Sequence, residues 1–315
     1  MKLQCPIPKI LLPIDGSEHS KRALQFAGCL GASFGKGLSG ITLLHVMAGS
    51  YLSRHLANID FRAEILKQSE VFKRIKEDHI EKNIKPLLDE GEKILKDSGI
   101  EVKIEKLILD GDAAHEIVRI AQEGKFSTII MARSGVSETR VLGSVANKVI
   151  HTASRQTIYI VGQKIFEDKK CPIPKILIPV DGSQYSMKGV EHVACLSGEF
   201  KSSLSRITLL RVINLAFFEE RIREGIEPED EAQRILNEAK TVFLEAGVSE
   251  GLITTKSKIG KPADEILKEA EEGNYNLIVM GRRGRSALKD LLLGGVSTTI
   301  LNRCQQPTIA IVSSE

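Results

Sequence analysis

The stretch CPIPKILLPIDGSEHS, residues 5–20, returns almost unchanged as CPIPKILIPVDGSQYS at residues 171–186. The two stretches lie 166 residues apart (171 − 5), and ITLLHV at 41–46 returns as ITLLRV at 207–212 with the same offset. Further along, GDAAHEI at 111–117 matches GKPADEI at 260–266 with an offset of 149 (260 − 111). A repeat of about 150 residues indicates a pair of domains, because solenoid units are only about 20–50 residues long.

We therefore predict two domains, residues 1–163 and 170–315, joined by a short polar linker. The total length agrees, since a single hydrophobic core stops growing at about 250–300 residues. The fall in offset means that the first copy has 17 extra residues (166 − 149), which we assign to a helical insertion at about 47–100. Its mixed charges at 70–95 predict a solvated helix face, and Pro86 is expected to kink or divide that helix.

Composition restricts the class of protein. Apolar residues make up 42% and charged residues 27%, as in an ordinary globular protein. The net charge of +3 is spread over interleaved acids and bases, so we predict no nucleic-acid partner. No apolar run reaches the roughly 18 residues of a membrane span, which predicts no membrane insertion and a cytoplasmic location. The five cysteines have no metal-ligand spacing and are expected to be small buried thiols.

Strands and helices alternate in both copies. Short apolar runs predict strands at 10–14, 41–46, 102–109, 128–131 and 157–161, and again at 175–180, 206–213, 252–259, 276–280 and 308–312. This alternation predicts an α/β fold in which each copy is a doubly wound, five-stranded parallel sheet covered by helices on both faces.

Ligands of such sheets bind outside the carboxyl ends of the strands, where the strand order reverses. This rule directs attention to the loops after the first and fourth strands. The fourth-strand loop of the second copy reads GRRGRSALKDLLLGGVST, residues 281–298. Gly281 and Gly284 allow close approach of the backbone to a ligand, and Gly294-Gly295 precede a helix whose free N–H groups can hold phosphate. The alternative is a flexible loop that simply ends a strand.

Together, the Asp-Gly-Ser turn and this loop make the chain resemble a tandem universal stress protein. The resemblance covers both copies and implies an adenine nucleotide alpha hydrolase-like fold with strand order 3-2-1-4-5. Many members bind ATP through Gly-x2-Gly-x9-Gly-(Ser/Thr), and Gly281, Gly284 and Gly294 match that spacing. Gly295 departs from the pattern, because it occupies the Ser/Thr position.

Residue by residue, the resemblance implies two nucleotide sites. In the second copy the contacts would be Pro179, Val180, Asp181, Val212, Met280, Gly281, Arg282, Gly284, Gly294, Gly295, Val296 and Ser297. In the first copy they would be Ile14, Asp15, Val46, Met131, Gly135, Gly143 and Ser144. The first site is expected to be the weaker one, since its loop is two residues shorter and would draw the phosphate cradle inward. Ala132 also replaces the first glycine there, and its Cβ is expected to crowd the ribose side.

Three functions remain open at this stage. The first is an adenine-nucleotide (ATP) binding regulatory protein of the stress response, without strong catalysis. The second is a slow ATP hydrolase or nucleotidyl transferase, with Asp181 as a candidate Mg²⁺ ligand. The third is a nucleotide-independent scaffold for an unknown protein partner. The edge strands at 157–161 and 308–312 are expected to pair into an intrachain pseudo-dimer, with a homodimer as a further alternative.

Overall fold

The computed structural model of the chain describes residues 8–47, 70–135, 142–163, 173–199, 204–225, 227–283 and 293–313. The first copy comprises β1 (Lys9–Pro13), α1 (Glu18–Phe34), β2 (Gly40–Met47), α2 (Glu70–His79), α3 (Lys85–Asp97), β3 (Ile104–Asp110), α4 (Ala113–Glu123), β4 (Thr128–Ala132), α5 (Ser144–Thr152) and β5 (Thr157–Val161). The second comprises β6 (Lys175–Pro179), α6 (Gln184–Glu199), β7 (Arg206–Asn214), α7 (Phe218–Arg223), α8 (Pro228–Glu245), β8 (Ile253–Gly260), α9 (Pro262–Glu272), β9 (Leu277–Gly281), α10 (Gly295–Arg303) and β10 (Thr308–Val312).

All ten strands form one sheet in the order β3-β2-β1-β4-β5-β10-β9-β6-β7-β8. Each half therefore has the predicted parallel strand order 3-2-1-4-5. Successive strand residues point to opposite faces, so that Ile10 and Leu12 belong to one apolar core and Leu11 to the other. Both cores include residues of both copies, which makes each helical layer continuous across the sheet.

The two copies meet where β5 and β10 pair antiparallel, as the sequence predicts. In the register, Ile309 faces Ile160, Ala310 faces Tyr159 and Ile311 faces Ile158. Tyr159 and Ala310 occupy equivalent positions of the repeat, because both are the third residue of their strand. A pseudo-two-fold axis thus passes through this central pair, and the chain forms an intrachain pseudo-dimer.

The residues around this axis differ between the copies. Tyr159 is opposed by the small Ala310, which leaves room for one aromatic ring where two equivalent rings would compete. Its ring lies between Phe26 of α1 (centroids 5.6 Å apart) and His192 of α6 (6.0 Å), and Phe26 and His192 are themselves equivalent positions (192 − 26 = 166). The Tyr159 hydroxyl is 2.6 Å from His192 Nε2. Burial lowers the pKa of His192 to about 4, so this imidazole is neutral at pH 7 and shares a hydrogen bond with the tyrosine hydroxyl.

The helical segment 70–97 lies within the predicted insertion at about 47–100, but one of its helices has a counterpart in the second copy. The π-helical turn Ile80–Ile84 separates α2 from α3, and Pro86 lies in the first turn of α3, so the predicted division is observed. Leu88 and Leu95 bury the inner face of α3, while charged side chains cover its other face. Both α3 and α8 connect the second and third strands of their copies, so the extra length of the first copy lies before α3.

A buried polar network distinguishes the second copy from the first. Glu269, 2% exposed, accepts hydrogen bonds from the Lys256 ammonium (2.7 Å) and the Tyr275 hydroxyl (2.8 Å), and Lys258 lies 3.0 Å from it. Burial acts to raise the pKa of Glu269, but these hydrogen bonds outweigh it and hold the pKa below its usual value. At the equivalent positions the first copy has the apolar residues Leu107, Leu109, Ile120 and Phe126, which pack in one core.

The cysteines differ in part from the expectation of buried thiols. Cys304 is a buried thiol whose pKa is raised to about 11 by burial, and Cys29 also forms no disulfide. Cys195, however, is disulfide-bonded, with its partner outside the described residues. The expectation is wrong for Cys195, because spacing along the chain does not show which thiols meet in the fold.

A first prediction concerns His192. Its folded pKa of about 4 lies below its ordinary 6.5, so the unfolded chain takes up a proton first and stability is lost as the pH falls from 6.5 to about 4. The double variant His192→Phe, Tyr159→Phe places the residue of the first copy at 192 and leaves no unpaired hydroxyl. Between pH 7 and pH 4.5 its melting temperature should fall less than that of the wild type. An equal fall in the melting temperature of both proteins over this pH range would contradict this account.

A second prediction concerns the Glu269 network. Glu269→Gln removes the charge that two lysines face, and should lower the free energy of unfolding by about 1–3 kcal/mol in urea titrations. The fourfold variant Lys256→Leu, Lys258→Leu, Glu269→Ile, Tyr275→Phe installs the apolar set of the first copy and should recover most of that loss. The account is contradicted if the fourfold variant is less stable than Glu269→Gln.

Candidate functional site

The Asp-Gly-Ser triplet of each copy forms a tight turn between the first strand and the first helix. In the first copy Gly16 has a φ of +81°, in the left-handed region that favours glycine. Asp15 Oδ1 accepts hydrogen bonds from the Ser17 backbone N–H (3.0 Å) and hydroxyl (2.6 Å). The Ser17 hydroxyl in turn accepts from the Ser20 N–H and caps α1. One carboxylate oxygen therefore shapes the turn, and the other is left for other contacts.

The second copy repeats this turn. Gly182 has a φ of +77°, and Asp181 Oδ1 accepts a hydrogen bond from the Ser183 N–H at 2.9 Å. The Ser183 hydroxyl accepts from the Ser186 N–H at 3.2 Å, at the start of α6. Asp181 is half-buried, whereas Asp15 is exposed. The Asp-Gly-Ser motif thus has a structural role in both copies, and it places a carboxylate at the carboxyl edge of the sheet.

In the first copy the fold brings Asp15 against the loop after β4. A Cβ added to Gly135 would lie 2.5 Å from Asp15 Oδ2, so the carboxylate almost touches the glycine backbone. These two predicted site residues are 120 positions apart in the chain (135 − 15), and only the sheet order joins them. The matching glycine of the second copy, Gly284, lies outside the described residues.

The two ends of the fourth-strand loop are held in the same way in both copies. The Gly143 N–H donates to the Arg133 carbonyl at 2.9 Å, and the Gly294 N–H donates to the Arg282 carbonyl at 2.9 Å. Gly143 and Gly294 both precede a helix with a ψ of 152°. The closure and the start of the helix are therefore alike in both copies, while residues 136–141 and 284–292 of the two loops lie outside the described residues, so the expected inward shift of the phosphate cradle stays a prediction.

Helices α5 and α10 begin at this closure, and neither has a side chain that caps its first turn. Their first N–H groups and the positive ends of their dipoles face the loop, which is the arrangement that holds anions. α5 starts with Ser144 and α10 with Gly295, and no atom of the described residues would lie within 4 Å of a Cβ at Gly295. Ser297 is buried and its hydroxyl donates to the Gly281 carbonyl at 3.2 Å, which makes it part of the loop's support.

The remaining predicted residues are apolar and lie on both faces of the sheet, with Ile14 and Val180 in one core and Met131, Val212 and Met280 in the other. Ile14, Met131, Val180, Val212 and Met280 are buried at the carboxyl ends of their strands, and Val46 and Pro179 are half-buried. Val296 is 38% exposed in the first turn of α10. These side chains can supply an apolar surface but no chemistry.

Arg282 does not supply charge to the loop of its own copy. Its side chain is 4% exposed and donates through Nη1 to the carbonyl of Ile150 in the first copy, at 2.5 Å. Its backbone is also occupied, because its N–H donates to Val312 and its carbonyl accepts from Gly294. Arg283 stacks over the Tyr185 ring, 5.9 Å from its centroid. A contact from Arg282 to nucleotide is therefore unsupported by its geometry.

Two residues that the sequence left without a role lie next to the site. His45 Nδ1 donates to the carbonyl of Ile14 at 2.9 Å, directly before Asp15, and burial lowers its pKa so that it stays neutral. Its counterpart Arg211 lies 4.0 Å from Glu231, which also pairs with Arg221 at 3.7 Å. These contacts connect the carboxyl end of β7 to α7 and α8. Nothing in the local sequence distinguishes them from ordinary surface charges.

Gly281 is required by close packing. A Cβ there would lie 2.2 Å from the carbonyl oxygen of Tyr185 in the first turn of α6. The added atom would point at the helix, so this geometry indicates a packing role for the position. The expectation that the Ala132 methyl crowds the ribose side is therefore not supported by the equivalent position.

Two other kinds of site are absent from the described part of the chain. No group of three or more His, Cys, Asp or Glu side chains there could hold a metal ion, and no helix there could span a membrane. A groove along the outer edge strand β3 is lined by Lys106 and Glu92, among others. Lys106 pairs with Asp89 (2.6 Å) and with Glu92, so the charges of this groove satisfy one another.

Comparison with known proteins shows that both copies match the same protein family. The sequence model of the universal stress protein family matches residues 6–158 and 172–311. A universal stress protein of Bacillus subtilis is 31% identical over 147 residues, which cover 44% of this chain and 97% of that protein. One of Mycolicibacterium smegmatis is 21% identical over 308 residues and covers 96% of both chains. The crystal structure of a universal stress protein from Archaeoglobus fulgidus has the same fold, with a TM-score of 0.65, 19% identity and 98% of both chains covered.

A third prediction tests the packing at Gly281. Gly281→Ala should lower the free energy of unfolding by about 1–3 kcal/mol, because the Tyr185 backbone must move to admit the methyl group. The matched control is Ala132→Gly, which removes a methyl at the equivalent position and should cost about 1 kcal/mol or less. Urea titrations measure both. Equal stability of Gly281→Ala and wild type would show that the close approach is not a constraint.

Proposed function

The chain belongs to the universal stress protein family, and from this premise we propose that it binds adenine nucleotides and acts as a regulatory protein of the stress response. One observation carries the proposal. In the first copy the Asp15 carboxylate, the Gly135 backbone and the uncapped start of α5 come together at the carboxyl edge of the sheet. This is the position at which doubly wound sheets bind their ligands.

The phosphates would lie at the starts of α5 and α10. Each helix offers unbonded backbone N–H groups and a dipole that favours negative charge, and glycine at the preceding position lets the ligand approach. The hydroxyl of Ser144 adds a donor in the first copy, whereas Gly295 offers open space in the second. Adenine would lie near Val46 or Val212, as the family resemblance implies.

The second copy is proposed as the principal site, because it keeps the full family spacing from Gly281 to Gly294. Its half-buried Asp181 is better shielded from water than the exposed Asp15, which strengthens any hydrogen bond that it accepts. The equal closure of both loops supports a first site of the same design, so we propose binding in both copies with unequal affinity.

Binding without strong catalysis is the function that these groups support. Asp15 and Asp181 each use one oxygen in their turn, and His45 is bonded to a carbonyl beside the site. Neither copy, among its described residues, places a second carboxylate where it could activate an attacking water. Asp181 could contribute to Mg²⁺ binding only together with phosphate oxygens of the nucleotide. The phosphoryl group would thus meet charge stabilisation alone, which gives slow turnover at best.

The oligomeric state, the protein partner and the location in the cell are also proposals. Pairing of β5 with β10 within the chain uses both edge strands, so the homodimer that was the further alternative would need another surface, and we propose a monomeric chain with a protein partner of unknown identity. We further propose that the protein acts in the cytoplasm. Light scattering and fractionation of cells that produce the protein test these two statements.

Calorimetric titration with ATP, followed by analysis of products over several hours, tests the proposed function. We expect saturable binding with little ADP formed. Rapid, stoichiometric hydrolysis would favour the hydrolase alternative. Absence of binding to ATP, ADP and AMP at millimolar concentrations would overturn the proposal and favour the nucleotide-independent scaffold.

A fourth prediction exchanges the residue at the helix start. Gly295→Ser restores the family's hydroxyl in the second copy, and its Cβ meets no atom of the described residues within 4 Å. ATP affinity should rise by about threefold to tenfold, since one new hydrogen bond to a charged group contributes roughly 1 kcal/mol. Ser144→Gly is the matched control in the first copy and should lower the affinity of that site. Calorimetry measures both changes, and a weaker Gly295→Ser protein would contradict the phosphate position.

A further inference from the structure

Two buried arginines cross the junction between the copies in opposite directions. Arg133 follows β4 and Arg282 follows β9, at equivalent positions of the repeat (282 − 133 = 149). Each is 4% exposed. Neither points toward the loop of its own copy, since both side chains reach the other copy.

Their targets are also equivalent. Arg282 donates through Nη1 to the Ile150 carbonyl (2.5 Å) and through Nη2 to the Ala153 carbonyl, at the end of α5. Arg133 donates through Nη2 to the Leu301 carbonyl, at the end of α10. Ile150 and Leu301 occupy the same position of the repeat, because both are the seventh residue of their helix. The contacts thus obey the pseudo-two-fold axis.

Among the described residues, the charge of each arginine faces the end of a helix and no carboxylate acts on either guanidinium. A buried cation needs such compensation. Free carbonyl groups and the negative end of the dipole supply it at the last turn of a helix. Burial lowers the pKa of Arg282 to about 10, which still leaves it charged at pH 7.

The helices capped in this way are the two whose first turns form the candidate phosphate sites. α5 and α10 have nine residues each, so their starts lie only about 12–14 Å from their ends. The arginine carbonyls also close the loops of their own copies, by accepting from Gly143 and Gly294. A single residue therefore fixes the loop of one site and the helix of the other.

We propose that Arg282 is a positioning residue for the site of the first copy and Arg133 for the site of the second. The inference rests on the proposed nucleotide binding and adds that each site is complete only with the other copy in place. The cation at the end of each helix holds the start of that helix in register with its loop. Binding in one copy is then coupled to the loop of the other.

The two arginines are not equal. Arg282 contacts two carbonyl groups of α5, whereas Arg133 contacts one of α10 and lies near the Cys304 thiol, and burial lowers the pKa of Arg133. Cys304 occupies the repeat position of Ala153. The first site should consequently depend more strongly on Arg282 than the second does on Arg133.

Hydrogen exchange of the intact chain, with and without ATP, tests this fifth prediction site by site. Arg282→Met should speed amide exchange at the end of α5 and reduce ATP protection at 143–146, with affinity of that site falling about threefold to tenfold. Protection at 294–297 should stay unchanged. Arg133→Met should speed amide exchange at the end of α10 and reduce ATP protection at 294–297, with a smaller effect, and protection at 143–146 should stay unchanged. Arg282→Lys keeps the charge but not the two-pronged contact, and should fall between wild type and Arg282→Met.

The possible outcomes distinguish the proposed nucleotide binding from the proposed role of the two arginines. If the wild type binds no ATP, the proposed function fails and this inference fails with it. Suppose instead that the wild type binds ATP. If Arg282→Met then changes ATP protection only at 294–297, changes it equally at both sites or changes it at neither, the inference alone is overturned. Should a methionine variant fail to fold, the lysine variants, measured in the same way, decide between a cross effect and a local one.

Discussion

Antiparallel pairing of β5 with β10 is the interaction on which the rest of the molecule depends. A five-stranded sheet that ended at either strand would expose a row of unpaired backbone groups. The pairing removes that edge from both copies at once, and it continues both apolar cores from one copy into the other. It also brings Arg133 and Arg282 within reach of helices that they could not contact in separate domains.

The repeat has kept its backbone requirements and changed its side chains. The Asp-Gly-Ser turns need the left-handed glycine, and both copies retain it. Where only volume must be conserved, the copies differ: the apolar set around Phe126 becomes a charged network around Tyr275. At the axis, Tyr159 and Ala310 divide between them a space that two identical residues would fill badly. Such divergence gives two sites of one design with different surroundings.

Most of the fold could be predicted because it follows from patterns of local physics. Alternating apolar strands and helices and the repeat itself were sufficient for two parallel α/β sheets, whereas the strand order and the pairing of β5 with β10 were expected from the family resemblance and the open edges. Directions of individual side chains were not predictable. An arginine in a glycine-rich loop suggests a phosphate contact, yet Arg282 points across the junction, because the helix end that attracts it comes from residues 132 positions earlier. The disulfide at Cys195 and the contacts of His45 escaped for the same reason.

The account rests on the claim that nucleotide binds at the carboxyl edge of each half-sheet. A crystal structure grown with a slowly hydrolysed ATP analogue tests it most directly. We expect the phosphates at the starts of α5 and α10, adenine beside the ends of β2 and β7, and both arginines still bound to the opposite helices. Phosphates bound elsewhere, or an empty carboxyl edge at saturating concentrations of the analogue, would contradict the claim.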